Sequence, residues 1–356
     1  MTRFPGTRVP IILCVLLLAS TAASPALADH MGPTGVGTGT SLNVLSPDTL
    51  EKGDVSAGFR ITYTRPDQRS DAELEALAAE HIHAHNTDYN LNTAIGASYG
   101  VTDRLTISAE LPFVRRDHLR EGEHSHVDGE TINEVVELGD VSGVGDLSLI
   151  AKYKLLDGEG AKFALLGGLK MPTGSTHKRS DEGERLETEH QPGTGSWDPI
   201  VGAAFGAELG PISLNASALY QFSGKGAQDT RLGNRAQGGI AFSHHFGAAE
   251  HHHDEGGHHH EEAEHHHDEG AHEHHEHSSW DTFVEATGEW EGRQKVDGEV
   301  EGASGGKSIW VSPGARFNSA SGFTIVGAVG IPVWQDIRPS HPDNDYRLTL
   351  AIGHAF

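Results

Sequence analysis

The chain of 356 residues has a single cysteine, few aromatic side chains and about half as many basic as acidic groups. Cys14 lies inside an apolar run, Val9 to Ala19, that follows Arg3 and Arg8 and ends before Ala26-Leu27-Ala28, a small-x-small cleavage pattern. These features predict a signal peptide over residues 1–28 and a mature chain starting at Asp29. Leu13 is too bulky for a lipidation site, so a lipoprotein is not expected. Without Cys14 the chain has no thiol, which excludes disulfide stapling and thiolate chemistry. No apolar stretch near 18 residues follows, so a helical membrane span is excluded and a closed barrel is the remaining way to cross a bilayer. The net charge of −25, or −27 once Arg3 and Arg8 are removed, offers no basic surface for phosphates. Nucleic acid is therefore not an expected partner.

What is present points to strands. Tyr346, Leu348, Leu350, Ile352 and Phe356 share one face, interrupted by His354, and Arg347, Thr349, Ala351, Gly353 and Ala355 share the other. A soluble sandwich strand has the same period, but a strand of about 9 to 11 residues with one oily face also suits lipid outside and water within. The 45 glycines and a mean hydropathy of −0.41 agree with a barrel that is apolar at alternate positions only. Twelve segments show this pattern, from Val55–Tyr63 to Tyr346–Phe356, and the connections between them alternate short and long. The expected fold is all-β, an antiparallel transmembrane β-barrel of about 12 strands in the bacterial outer membrane. Both termini are expected in the periplasm. The segments starting near Arg65, Arg115, Pro172, Ser223, Glu291 and Gln335 then fall outside, all of them as loops. Within the first, Ser70-Asp71-Ala72-Glu73 has the capping-box form ahead of Leu74, Leu77 and Ala78, so either a short helix or an irregular loop is expected there. The Gly- and Thr-rich stretch 29–50 is a candidate plug, and 51–356 is the barrel.

Parity gives the inward face thirteen charges: Arg60, Arg104, Glu110, Lys152, Lys154, Lys170, Asp198, Glu208, Arg235, Glu285, Glu289, Arg316 and Arg347. Both signs are present, so they define neither a simple anion pore nor a simple cation pore, and pairing across a filled interior is the alternative.

One short turn is replaced by Ala248 to Ser279, a His/Asp/Glu-rich insertion without lysine or arginine. It holds His251, His252, His253, His258, His259, His260, His265, His266, His267, His272, His274, His275 and His277, with ten acidic residues among them, in a loose seven-residue repeat. Such a composition predicts a disordered loop, placed by parity in the periplasm. Neutral imidazoles favour loosely held zinc, nickel or copper(II), with affinity falling below about pH 6. No cofactor is required. Other histidines, His81, His83, His85, His118, His124 and His126, sit in outer loops and offer a weaker surface metal site. Ser125 between His124 and His126 is the sole nucleophile–base cluster.

Several short motifs resemble a known family. Gly145-Asp146-Leu147-Ser148-Leu149 leads into Lys152-Tyr153-Lys154, and Leu169-Lys170-Met171-Pro172-Thr173-Gly174 and Gly193-Thr194-Gly195-Ser196-Trp197-Asp198-Pro199 follow. Ser70 to Glu75, Tyr99 to Asp103 and Leu111-Pro112-Phe113 belong to the same set. Over nearly the whole mature chain the sequence resembles the outer-membrane transporters of the MetA-pathway of phenol degradation family. That resemblance implies a barrel passing small hydrophobic or aromatic solutes, with no catalytic residues to carry over; the histidine tract departs from its pattern.

Three functions follow as expectations. The first is an outer-membrane channel or transporter for small solutes, coupled to divalent-metal capture by the tract. A barrel-anchored periplasmic zinc, nickel or copper buffer is the alternative, and a barrel lipid hydrolase using Ser125 is the least favoured; a non-enzyme is expected. The expected partners are outer-membrane lipid, a small-molecule or metal-ion solute, and the barrel-assembly machinery through the C-terminal strand ending in Phe356.

Overall fold

The structure, a computed structural model, describes residues 41–127, 130–158, 160–246 and 278–356. The predicted signal peptide and the histidines of the tract lie outside these described residues. The strands are β1 (Val55–Pro66), β2 (His85–Asn86), β3 (Tyr89–Thr102), β4 (Leu105–Val127), β5 (Glu130–Val144), β6 (Leu147–Asp157), β7 (Ala161–Met171) and β8 (Asp198–Leu209). They continue as β9 (Ile212–Gln221), β10 (Arg235–Phe246), β11 (Ser279–Glu291), β12 (Lys295–Val296), β13 (Glu299–Val300), β14 (Gly306–Asn318), β15 (Phe323–Gln335) and β16 (Asn344–Ala355). Twelve of them close into an antiparallel barrel in the order β1-β3-β4-β6-β7-β8-β9-β10-β11-β14-β15-β16. The ring is completed where β1 pairs with β16, Phe59 opposite Ile352.

Alternation explains the wall. In β16 Leu348, Leu350 and Ile352 face outward at 42–46% exposure, while Thr349 and Ala351 face inward at 6% and 4%. The same division recurs in β1, β3, β8, β10 and β15, giving a continuous apolar outer belt that in solution would be an aggregation surface and in lipid is solvated. Aromatic girdles bound it. Tyr63 stacks on Tyr89 and lies 6.1 Å from Tyr346 at the rim with long loops, where Tyr220 also stacks on Trp290. Trp280 packs against Phe317 at the opposite rim. Belt and girdles together are those of an outer-membrane barrel.

The capping box forms: Ser70 caps α1 (Asp71–Ala79), accepting from the Glu73 amide while the Glu73 side chain accepts from the Ser70 amide. The helix buries Leu74 and Ala78 against the β4–β5 hairpin. Gly122 of β4 makes this possible, because a Cβ there would lie 2.4 Å from the Leu74 carbonyl oxygen.

One expectation is corrected. The segment from Arg115 to Val144 is a hairpin and not an irregular loop, since β4 runs on beyond the membrane to Val127 and β5 returns along it. Its charged residues alternate with Leu119, Leu138 and Val141, which pack around Leu186 from the next outer loop. A small apolar core above the membrane therefore sustains pairing that charge density alone concealed. Pro332 also lies within β15, three residues before its end at Gln335, and the register shifts opposite it between Ile309 and Trp310. The bulge absorbs the missing N–H.

Candidate functional site

The lumen is occupied by the chain's own N-terminal segment. From Ser41 to Leu50 it arches across the half nearer the short turns, touching β14, β11, β9, β6, β7 and β4 in turn. Glu285 of β11 accepts from the amides of Leu42 and Asn43 at 3.2 and 3.0 Å, and from the Asn43 side chain. Arg316 donates to the Ser41 carbonyl, Ser217 accepts from the Leu45 amide at 2.9 Å, and Lys152 donates to the Ser46 carbonyl at 3.0 Å. Asp48 pairs with Lys162 at 2.7 Å, and Thr106 accepts from the Leu50 amide. Two apolar contacts add to this: Leu42 packs among Phe283, Val326, Ala328 and Ala351, and Leu45 against Ile150, Leu166, Ile200 and Ala204. Gly206 leaves the space for Pro47, whose Cγ would lie 2.9 Å from a Cβ at that position.

The remaining inward charges are paired with one another. Arg60 meets Glu110 at 3.2 Å, Arg235 meets Glu291 at 3.1 Å, and Lys170 lies 2.8 and 2.9 Å from Asp146 and Asp198. Arg347 pairs with Glu289 at 2.8 Å and stacks over the buried Trp310 ring. Of the thirteen charges assigned to the lumen by parity, Arg104 and Glu208 are exposed at the short-turn rim. Lys154 is half-buried there, paired with Asp157. Parity gives the face a residue would take but not where the strand leaves the wall.

At the other rim the long loops interlock into a cap. The His85 amide donates to the Ser340 carbonyl, Thr188 to the Ala227 carbonyl, Gln294 to Glu189 at 2.7 Å, and Arg116 to the carbonyls of His190 and Glu189. Beneath it a cavity of about 40 Å³, room for two or three waters, is lined by His85, Arg116, Glu189, His190, His341 and Asn344. Burial pushes the His85 imidazole well below its ordinary value, aided by the neighbouring His341, and takes His341 down to about 3. Burial also lifts the Glu189 carboxyl to about 8. For His190 burial is outweighed by Glu121 and Glu189, and its value is raised. Glu121, although buried, is held at about 2 by His190 and His83. His83 rises to about 9 through its contact with that carboxylate. Of these residues sequence reasoning marked only His83 and His85; Glu189, His190 and His341 carry no local signal and are joined by loops far apart in the chain.

The other outer-loop histidines do not join this cluster. His124 bonds to Asn133 at 2.7 Å and its ring packs against those of His81 and His126. Ser125, between them on β4, projects to the opposite face of the strand. His118 pairs with Asp88 and Glu137.

A family model described as MetA-pathway of phenol degradation matches residues 46–280. No curated protein matches by sequence. Among solved structures, an outer membrane channel from Pseudomonas putida F1 is similar at a TM-score of 0.53 and 18% identity, over 87% of this chain and 97% of that one. The toluene transporter TbuX of Ralstonia pickettii gives a TM-score of 0.36 at 10% identity, over 90% and 96%. The β domain of a Bordetella autotransporter gives 0.43 at 10%, over 86% and 100%.

Proposed function

The chain belongs to the MetA-pathway of phenol degradation family, and from that premise we propose that it is an outer-membrane channel for small solutes, held shut by its own N-terminal segment. The observation that carries this reading is the way residues 41–50 cross the lumen. They form no strand with the wall and are held by side-chain contacts from six different strands, three hydrogen bonds to Glu285, an ion pair with Lys162 and one hydrogen bond from each of the other four. A wall strand would be permanent, whereas a segment so held can be displaced without unpairing the barrel. The lumen behind it carries both signs of charge in near-contact pairs, which favours small neutral solutes over ions. A neutral solute of aromatic type agrees with the family description.

Planar-bilayer recordings test the proposal. The full chain is expected to show rare, brief openings, and deletion of residues 29–50 to give stable conductance steps and faster entry of small neutral solutes into proteoliposomes. Equal, near-zero permeability in both proteins would refute it.

The histidine tract supports a second role, capture of zinc, nickel or copper(II) next to the channel or as a buffer anchored by it. The described strands on either side of it, β10 and β11, end in register at the short-turn rim, Phe246 opposite Trp280. Replacing residues 248–277 by a two-residue turn is expected to leave the barrel folded and remove most calorimetric nickel binding; unchanged stoichiometry would reject metal capture by the tract.

A further inference from the structure

We propose that His85, Glu189 and His190 form a site for one borderline divalent cation, zinc by preference, inside the cap at the outer mouth. The inference is separate from the histidine tract and holds whether or not the lumen opens.

The ligand atoms are in place. His85 Nδ1, Glu189 Oε1 and His190 Nε2 lie within 4.8 Å of one another. Glu189 Oε1 is 3.7 Å from His85 Nδ1 and 3.8 Å from His190 Nε2. Tetrahedral zinc with bonds of about 2.0 to 2.1 Å separates its ligands by roughly 3.4 Å, so both carboxylate–imidazole separations are within a few tenths of an ångström of that shell, and the two imidazole nitrogens, within 4.8 Å of each other, close on the ion as it binds. The present separations are too long for hydrogen bonds.

Both ring nitrogens are buried without a hydrogen-bond partner, and His190 is only 2% exposed. Two lone pairs or N–H groups left so in a closed site ask for an occupant, and the cavity they border has room for one ion and a water. The surroundings fix the ligands and leave their inner atoms open. Gln294 donates to Glu189 Oε2, the outer carboxylate oxygen. Arg116 spends hydrogen bonds on the backbone carbonyls of Glu189 and His190, fixing that short segment. The Ser340 carbonyl holds the His85 backbone. This is the outer-shell support that metal ligands usually have. His341, its ring 4.4 Å from that of His85 and its Nδ1 engaged by Ser340, and Glu121, whose Oε2 lies 3.8 Å from His190 Nε2, are the candidates for the fourth position, with water as the alternative.

The donor set selects the metal class. Two imidazoles and one carboxylate suit zinc, nickel or copper(II), whereas calcium and magnesium prefer oxygen alone. Among the described residues neither cysteine nor methionine lines the cavity, so the donor set does not favour copper(I).

The test uses the full chain folded in detergent micelles, with zinc chloride as the probe. Anomalous diffraction at the zinc edge is expected to place a peak between the three atoms. In equilibrium dialysis, His85→Ala/His190→Ala is expected to lose one zinc equivalent relative to the parent while the tract binds the same number in both. Identical stoichiometry, or anomalous peaks elsewhere with none among these residues, would overturn the site. If the double variant fails to fold, judged by heat-modifiable gel mobility, the anomalous map of the parent chain decides alone.

Discussion

Glu285→Ala isolates the energetics of the lumenal segment. The Glu285 side chain, fully buried, accepts two backbone amides and one side-chain amide from Leu42 and Asn43. Hydrogen bonds to a charged group contribute a net of about 1.5 to 3 kcal/mol each. Taking the lower figure for each of the three, and allowing for water that replaces part of the loss, the substitution weakens the lumen-bound state by roughly 3 kcal/mol. At about 1.4 kcal/mol per decade that is more than a hundredfold in the ratio of displaced to bound segment. A reporter is available because the only native cysteine is Cys14. Val44→Cys places a thiol on the segment at a position 3% exposed. Its maleimide labelling rate in folded protein is expected to rise about a hundredfold when Glu285→Ala is added, with conductance rising in parallel. Glu285→Gln, which keeps one acceptor of the same shape, should fall between. Labelling and conductance unchanged by Glu285→Ala would refute the view that these bonds hold the segment.

Other perturbations separate wall, cap and lumen. Gly206→Leu forces a side chain into the space of Pro47 and is expected to raise conductance while the barrel keeps its heat-modifiable mobility. Leu350→Arg on the lipid face should cost about 2 to 4 kcal/mol in urea unfolding from lipid bilayers, since Leu350 faces outward at mid-strand; no loss would mean the register is wrong. Leu186→Ala empties the small core with Leu119 and Val141 at about 2 to 4 kcal/mol, and the 172–197 loop should become sensitive to protease. Ser70→Ala removes the α1 cap, about 1 kcal/mol, read as faster amide exchange in residues 71–79. The capping hydrogen bonds from Ser70 hold the Glu73 carboxyl below its ordinary value. Their contribution is therefore complete above the ordinary glutamate range and is lost as pH falls through the depressed value, so the protection factors of α1, measured against the intrinsic exchange rate at each pH, should fall in acid and stay constant toward neutral pH.

Much of the wall was legible. Period-two patterning located all twelve barrel strands, because each must present apolar side chains to lipid at alternate positions whatever surrounds it. The capping box at Ser70 was legible for a similar reason, being a local exchange of hydrogen bonds. The β4–β5 hairpin was not, since its outer half leans on Leu186 from another loop and its sequence is dominated by solvated charge. The site beneath the cap was legible only in His85. His190 and Glu189 became neighbours of His85 through loops that meet across the mouth, and no spacing in the sequence records that meeting.

The order in which contacts can form gives the cap a further meaning. β1 and β16 are the first and last strands, and until they pair, each exposes an open edge able to take up a foreign strand. Their seam is held at one rim by Phe356, whose amide donates to the Val55 carbonyl, and at the other by His85, whose amide donates to Ser340 in the loop entering β16. Neither bond can exist before the circle is joined, since they link residues 301 and 255 positions apart in the chain. The cap is thus also a clasp on the joint, and a chain arrested with its seam open would be one in which His85 and Ser340 had never met.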